Sequence, residues 1–224
     1  MKEENNIKKT LVSPGPHLSS KKAISKTMYL VIIALLLPTI GSIYFFGVYV
    51  IAVILVSIIT AILTEYVAKK LRKKEFYMDG SAILTGLLLA LILPPRIPLW
   101  AVVIGAAVSI AIAKEAFGGL GHNVFNPALV GRAFLTTSFT GLMTRYVLPV
   151  ETLTGDAITT ATPLSESFVQ NVDQTTLYQN LFVGNVAGSI GETSALLILI
   201  GGLFLIALKI INWRIPLIYI GSVF

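Results

Sequence analysis

The chain has 224 residues, 55% of them hydrophobic and only 12% charged, and its mean hydropathy is +0.83. Soluble domains carry about 25% charged residues, so polar surface is too scarce here to coat a water-soluble globule, and an integral membrane protein is indicated. With no cysteine, disulfides, cysteine-ligated iron–sulfur clusters and thiolate catalysis are excluded within these residues.

The net charge of +6 does not point to nucleic acid, because of where the charges lie. Residues 1–25 are polar, with Lys2, Lys8, Lys9, Lys21 and Lys22. They show neither the apolar core nor the small-residue cleavage site of a signal peptide, and predict a cytoplasmic tail. Residues 27–46 (TMYLVIIALLLPTIGSIYFF) supply the roughly 20 apolar residues that cross a hydrocarbon core. Pro38 lacks an amide donor and predicts a bend there. After a tight turn at Gly47, residues 48–68 form a second span. Lys69, Lys70, Arg72, Lys73 and Lys74 follow directly, as cytoplasmic anchors do.

Residues 80–94 (GSAILTGLLLALILP) are apolar but reach only partway across at about 1.5 Å per residue. Asp79 and Ser81 suit the start of a helix, and Pro94-Pro95 stops it. Short or broken apolar segments mark ion and ligand sites in transporters; a tilted ordinary span is the alternative. Residues 97–113 form a fourth span that ends at Lys114-Glu115. In GGLGHNVFNPALVGR, residues 118–132, Asn126 followed by Pro127 signals a helix start. A fifth helix is expected over 127–143. Residues 144–190 form a long polar connection, and 193–211 a sixth helix. Asn212, Trp213 and Arg214 make a turn before a seventh span begins at 215–224. That last piece has half the length a crossing needs, so either the chain is a truncated portion of a longer protein, the reading favoured here, or its end is embedded; the residues show no internal repeat, and an inverted second half could lie beyond residue 224.

The expected organisation is therefore a cytoplasmic tail (1–25), transmembrane helices 1–5 with a short third segment (26–143), an extracytoplasmic loop (144–190), then helix 6 and the start of helix 7 (191–224). Placing the N-terminus inside puts the tail lysines, the cluster 69–74, Lys114, Lys209 and Arg214 on the cytoplasmic side. Only Arg96 and Arg145 fall outside, as the positive-inside rule requires.

Two stretches carry chemistry. At 118–126, glycines and polar side chains precede a helix N-terminus, whose free amides and dipole favour an anion or a polar ring. Arg132 lies more than one turn into that helix, where an arginine faces protein or a watery cavity. A ligand or ion site and a structural re-entrant turn are both compatible with these residues. His122 has no partner ligand at zinc spacing, and His17 is remote. The second stretch is DAITTATPL, residues 156–164, which crowds Asp156, Thr159, Thr160 and Thr162 together. Pro163 pushes Thr162 towards an extended backbone; a turn or cap cluster would use the same residue types.

GHNVFNPALVGRAFL and DAITTATPL, in this order and with GETSALLILIGG at 191–202, resemble the family formed by the D subunit of the Rnf complex and the B subunit of the sodium-pumping NADH:quinone oxidoreductase. The resemblance covers about residues 15–224 and implies an all-α, polytopic transmembrane helix bundle, half of an inverted-repeat fold, with one flavin-bearing extracytoplasmic loop. It implies a subunit of an ion-pumping ferredoxin:NAD oxidoreductase in a bacterial inner membrane, in contact with lipid and with other Rnf subunits. It also implies FMN esterified through its phosphate to a threonine by a flavin transferase. Asp156 matches the acid that opens the family's attachment motif and Thr162 the acceptor; Thr160 stands where glycine is common and is the second choice. A non-covalent riboflavin is further implied, near Gly121, His122, Asn123, Asn126 and Arg132. This chain alone shows no dinucleotide fingerprint and no cluster cysteines for NAD or ferredoxin chemistry. The rival class is a secondary transporter or channel without a redox cofactor. Glu65 and Asp79, near span ends, are candidates for handling the transported ion, though acids there are usually interfacial.

Overall fold

The structure is a computed structural model that describes residues 21–147, 149, 174–192 and 194–223. The motif residues Asp156, Thr160 and Thr162 lie outside them. The described elements are helical: α1 (Lys21–Phe46), α2 (Tyr49–Leu71), α3 (Ser81–Leu91), α4 (Leu99–Ile110), which runs on as a π-helical turn (Ala111–Glu115), α5 (Pro127–Ser138), α6 (Thr140–Met143), α7 (Gln174–Val183), α8 (Ala195–Ala207) and α9 (Arg214–Gly221). There is no β-strand among the described residues.

Among the described residues, two helices are long and apolar enough to cross a membrane, Ile24–Phe46 and Tyr49–Leu71. Their polarity runs opposite to that of a soluble helix. α2 buries Ser57 and Glu65 while exposing Leu55, Ile59 and Leu63. A helix that turns its polar residues inward and its leucines outward is suited to lipid, not water.

Close approach holds the bundle, as expected where lipid removes the hydrophobic drive for helices to associate. α2 packs on α3 and α4, and α4 on α5. A Cβ on Gly86 would sit 2.8 Å from Ile58 Cα, so glycine lets α3 touch the α2 backbone. The contact is closed by Ser57 Oγ, which donates to the Gly86 carbonyl at 2.7 Å. Between α4 and α5, a Cβ on Gly131 would fall on Ser109 Oγ and 2.7 Å from the Gly105 carbonyl oxygen.

Pro38 lies inside α1, which continues through it. Proline has no N–H, so the Ala34 carbonyl loses its partner one turn back. Helix α8 packs against α1 there, and a Cβ on Gly201 would lie 2.9 Å from that oxygen. The neighbouring helix comes closest where the ladder is open.

The short third helix exists as expected, and its buried end is closed by the chain itself. The Leu91 carbonyl accepts from the Gly191 amide at 2.6 Å and the Leu93 carbonyl from the Ile190 amide at 3.0 Å. Tyr49 Oη donates to the Ile97 carbonyl at 2.9 Å.

Several boundaries differ from expectation. α1 starts at Lys21, inside the stretch assigned to the tail. The helix expected over 127–143 breaks at Phe139, where φ is −135° and ψ 49°. Thr136, Thr137, Thr140 and Thr144 each donate to a carbonyl four residues back, and such back-bonding competes with and bends the helical ladder. The connection 144–190 contains α7. The helix expected over 193–211 runs over 195–207, with Ser194 accepting the Leu197 amide at 3.4 Å at its start.

Candidate functional site

One end of the bundle gathers the charges. It is built from the start of α1, the end of α2, the start of α3, the π-helical turn and the start of α5. In that turn the Ala116 amide bonds the Ala111 carbonyl at 3.0 Å. A π-helical turn inserts a residue and re-aims its side chains. Here it leaves adjacent Lys114 and Glu115 each 2% exposed.

Lys114 Nζ donates to Glu65 Oε2 at 2.8 Å and to Ser81 Oγ at 2.6 Å. Ser81 Oγ in turn donates to Asp79 Oδ1 at 2.5 Å, and the same carboxylate oxygen accepts the Ser81 amide at 2.9 Å. α3 starts at Ser81 as expected, but its N-cap is Gly80, which makes no side-chain cap; Asp79, one residue earlier, accepts the Ser81 amide and links the network. Glu65 is also paired with Lys69. Next to this network Arg72 donates to the Glu115 carbonyl and lies 3.6 Å from Glu115 Oε2; Glu115 Oε1 is buried without a hydrogen-bond partner.

Glu65, read as an acid near a span end, is 1% exposed. An unpaired buried carboxylate is too costly to persist, and the compensating ammonium comes from Lys114, 49 residues along the chain. In the sequence, Lys114 reads merely as the end of a span. The Glu65–Lys69 spacing of four is the legible half of the network; its long-range half is not.

Beside Lys114 lies a cavity of about 270 Å³. Its polar lining is Ser81, Thr85, Lys114, Asn123 and Asn126. Met28, Leu84, Leu88, Leu120 and Pro127 supply apolar walls. Asn126 uses its Oδ1 to accept the Ala128 amide at 3.0 Å, as the Asn-Pro signal predicts, which leaves its Nδ2 donor to other partners. Asn123 uses Nδ2 on the Phe125 carbonyl at 2.9 Å, which leaves its Oδ1 acceptor. The cavity thus combines a donor, an acceptor and a cation with apolar faces. Small-molecule sites have this character, and their volumes start at roughly 300 Å³.

The other predicted residues lie apart from this cavity. Gly121, with φ 87°, is exposed and shapes the loop. His122 is exposed and lies against Gly118, whose added Cβ would be 3.3 Å from the histidine Cβ. Arg132 points elsewhere, to Glu192, at 3.4 Å. Glu192 also borders a second cavity of about 310 Å³ between α1, α3 and α8, whose remaining walls are apolar side chains and glycines.

A model of the NQR2, RnfD, RnfE family matches residues 11–224. The chain belongs to this family. Within the NQR2, RnfD, RnfE family it is 44% identical, over 98% of its own length and 70% of the relative's, to the D subunit of the proton-translocating ferredoxin:NAD(+) oxidoreductase complex of Clostridium ljungdahlii. It is also 44% identical to the D subunit of the Na(+)-translocating ferredoxin:NAD(+) oxidoreductase complex of Acetobacterium woodii, over 95% of this chain and 67% of the relative. The D subunit of the ion-translocating oxidoreductase complex of Rhodobacter capsulatus is 37% identical, over 93% of this chain and 66% of the relative. The chain thus spans about two thirds of the length of these relatives. Together with the helical fold, this family makes the chain part of an all-α membrane protein.

Proposed function

We propose that the chain is the membrane-embedded D subunit of an Rnf-type, ion-translocating ferredoxin:NAD(+) oxidoreductase. It carries FMN as a phosphoester on Thr162 and holds a second flavin, riboflavin, non-covalently in the cavity at Asn123 and Asn126. The observation that carries this reading is the family match over nearly the whole chain, with two relatives of that name at 44% identity. Those two are named for different ions at the same identity, so overall similarity does not choose between Na⁺ and H⁺.

When bound, a flavin supplies electron transfer, and the protein supplies position and electrostatics. For FMN the support is the motif that opens with Asp156 and closes with Thr162, with Thr160 as the other hydroxyl in reach of the same role. An ester through phosphate leaves the ring system unaltered and stops the cofactor diffusing away. For riboflavin the donor set fits: the free Asn126 donor and Asn123 acceptor suit the alternating polar edge of an isoalloxazine, and the leucines, Met28 and Pro127 suit its apolar body.

In this reading the protein lies in a bacterial inner membrane with its N-terminus in the cytoplasm, in contact with lipid, as a multi-pass bundle that forms half of an inverted-repeat fold. The 144–190 connection is extracytoplasmic. Its partners are the other Rnf subunits and, during maturation, a flavin transferase. The lysine and arginine asymmetry supports the orientation. Co-expression with a flavin transferase should give a band that fluoresces on a denaturing gel and disappears with Thr162→Ala. A wild-type chain that never fluoresces would favour a transporter without a redox cofactor.

A further inference from the structure

We infer that Lys114 is the positioning residue that sets how readily a flavin in the Asn123–Asn126 cavity is reduced. The inference rests on the reading that a non-covalent flavin occupies that cavity. It starts from the hydrogen-bond inventory of one ammonium. Lys114 is 2% exposed and has three N–H donors. Two are used, on Glu65 Oε2 and Ser81 Oγ. The third has no acceptor among the described residues, and the side chain lines the cavity.

Charge balance explains why an ammonium stands at Lys114, but not its third donor. Glu65 already pairs with Lys69 on its own helix, and Asp79 reaches Lys114 only through the Ser81 hydroxyl. The nearby acid Glu115 faces Arg72. Lys114 thus completes a balanced set, with Lys69 and Arg72 against Glu65, Asp79 and Glu115, and still has one donor to spare. Its two anchors come from α2 and α3, which fixes the position of the cation relative to the cavity. A fixed cation on a buried side chain interacts strongly with charge that develops beside it. Reducing a flavin adds electrons, and so negative charge, to the ring; a held ammonium at its edge favours that state. Asn123 and Asn126, both neutral, bind the ring without this preference.

The test uses the complex purified with this chain in it, from wild type and from Lys114→Met, Lys114→Arg and Ser81→Ala. Acid-extractable flavin is quantified, and its reduction is followed by redox titration; covalent flavin reports maturation of the chain, and co-purification of the other subunits reports assembly. Lys114→Met should make the extractable flavin about tenfold harder to reduce, about 30 mV for a two-electron couple, or lose it, while covalent flavin stays. Lys114→Arg should restore most of the effect, because it returns the charge. Ser81→Ala, which removes one anchor and leaves the Glu65 pair, should move the potential in the same direction by a smaller factor. It decides the matter if Lys114→Met fails to assemble. An unchanged potential in Lys114→Met, or in Ser81→Ala where only that variant assembles, overturns the role of Lys114 and leaves the flavin reading standing. A wild-type complex with no extractable flavin overturns both.

Discussion

Two helix ends in this bundle are finished in opposite ways. The C-terminal end of α3 is closed by its own chain: the Gly191 and Ile190 amides fill the Leu91 and Leu93 carbonyls, and glycine at 191 is required because a Cβ there would be 2.8 Å from Leu91 Cβ. The N-terminal end of α5 is only partly closed. Asn126 caps one amide, and the polar groups around it face a cavity that also receives Lys114. The free amides or carbonyls of a helix end find partners in the chain, in water or in a ligand. Where the chain supplies them, the end is scaffold. Where it brings a cation and two amide side chains to an open space, the end is the flavin site proposed above.

The bundle is most sensitive at the charge network. Glu65→Leu leaves Lys114 without its carboxylate, and removing one partner of a buried pair costs about 3–5 kcal/mol. We expect the largest fall in folded yield and thermal midpoint for this variant. An unaltered melting curve would show that the network is not structural. The closed end comes next. Gly191→Leu drives a side chain into Leu91 at an overpacking cost of about 1–3 kcal/mol, seen in thermal unfolding in detergent, while extractable flavin per folded molecule stays constant. If flavin fell in step, the two ends would not be separable.

The open end can be dissected at one residue. Asn126→Ala should cost about 1 kcal/mol as a lost cap and reduce extractable flavin. Asn126→Ser keeps a good cap yet removes the Nδ2 donor, so flavin should fall with stability nearly retained. Equal flavin retention in Ala and Ser variants at the wild-type level would remove Asn126 from the binding set. The smallest effect is expected at Arg132→Ala. Its partner Glu192 has a side chain 55% exposed, and such pairs contribute at most about 1 kcal/mol; a larger loss of stability would give that pair a role its exposure does not suggest.

Much of the scaffold is legible because it is written in local patterns. The two long spans follow from uninterrupted apolar runs, the short α3 from Asp79, Ser81 and Pro94-Pro95, and the start of α5 from Asn126-Pro127. The break at Phe139 escapes such a reading because it depends on threonine hydroxyls competing for carbonyls, and an apolar-length criterion does not register that. At the site, the 118–126 loop is legible from its glycines and asparagines. Lys114 and Glu65 are not: a charge at the end of an apolar run reads as an anchor in water until folding brings its partner from another helix. Arg132 is drawn to the same loop by proximity in sequence, but its helix face turns it to Glu192.

The flavin on Thr162 is the claim on which the redox reading turns, and mass spectrometry of the peptide spanning residues 156–164 from natively matured protein tests it most directly. The peptide should carry the mass of FMN less one water, with fragments that localise it to Thr162. An unmodified peptide, or an adduct fixed on another residue, would contradict the account.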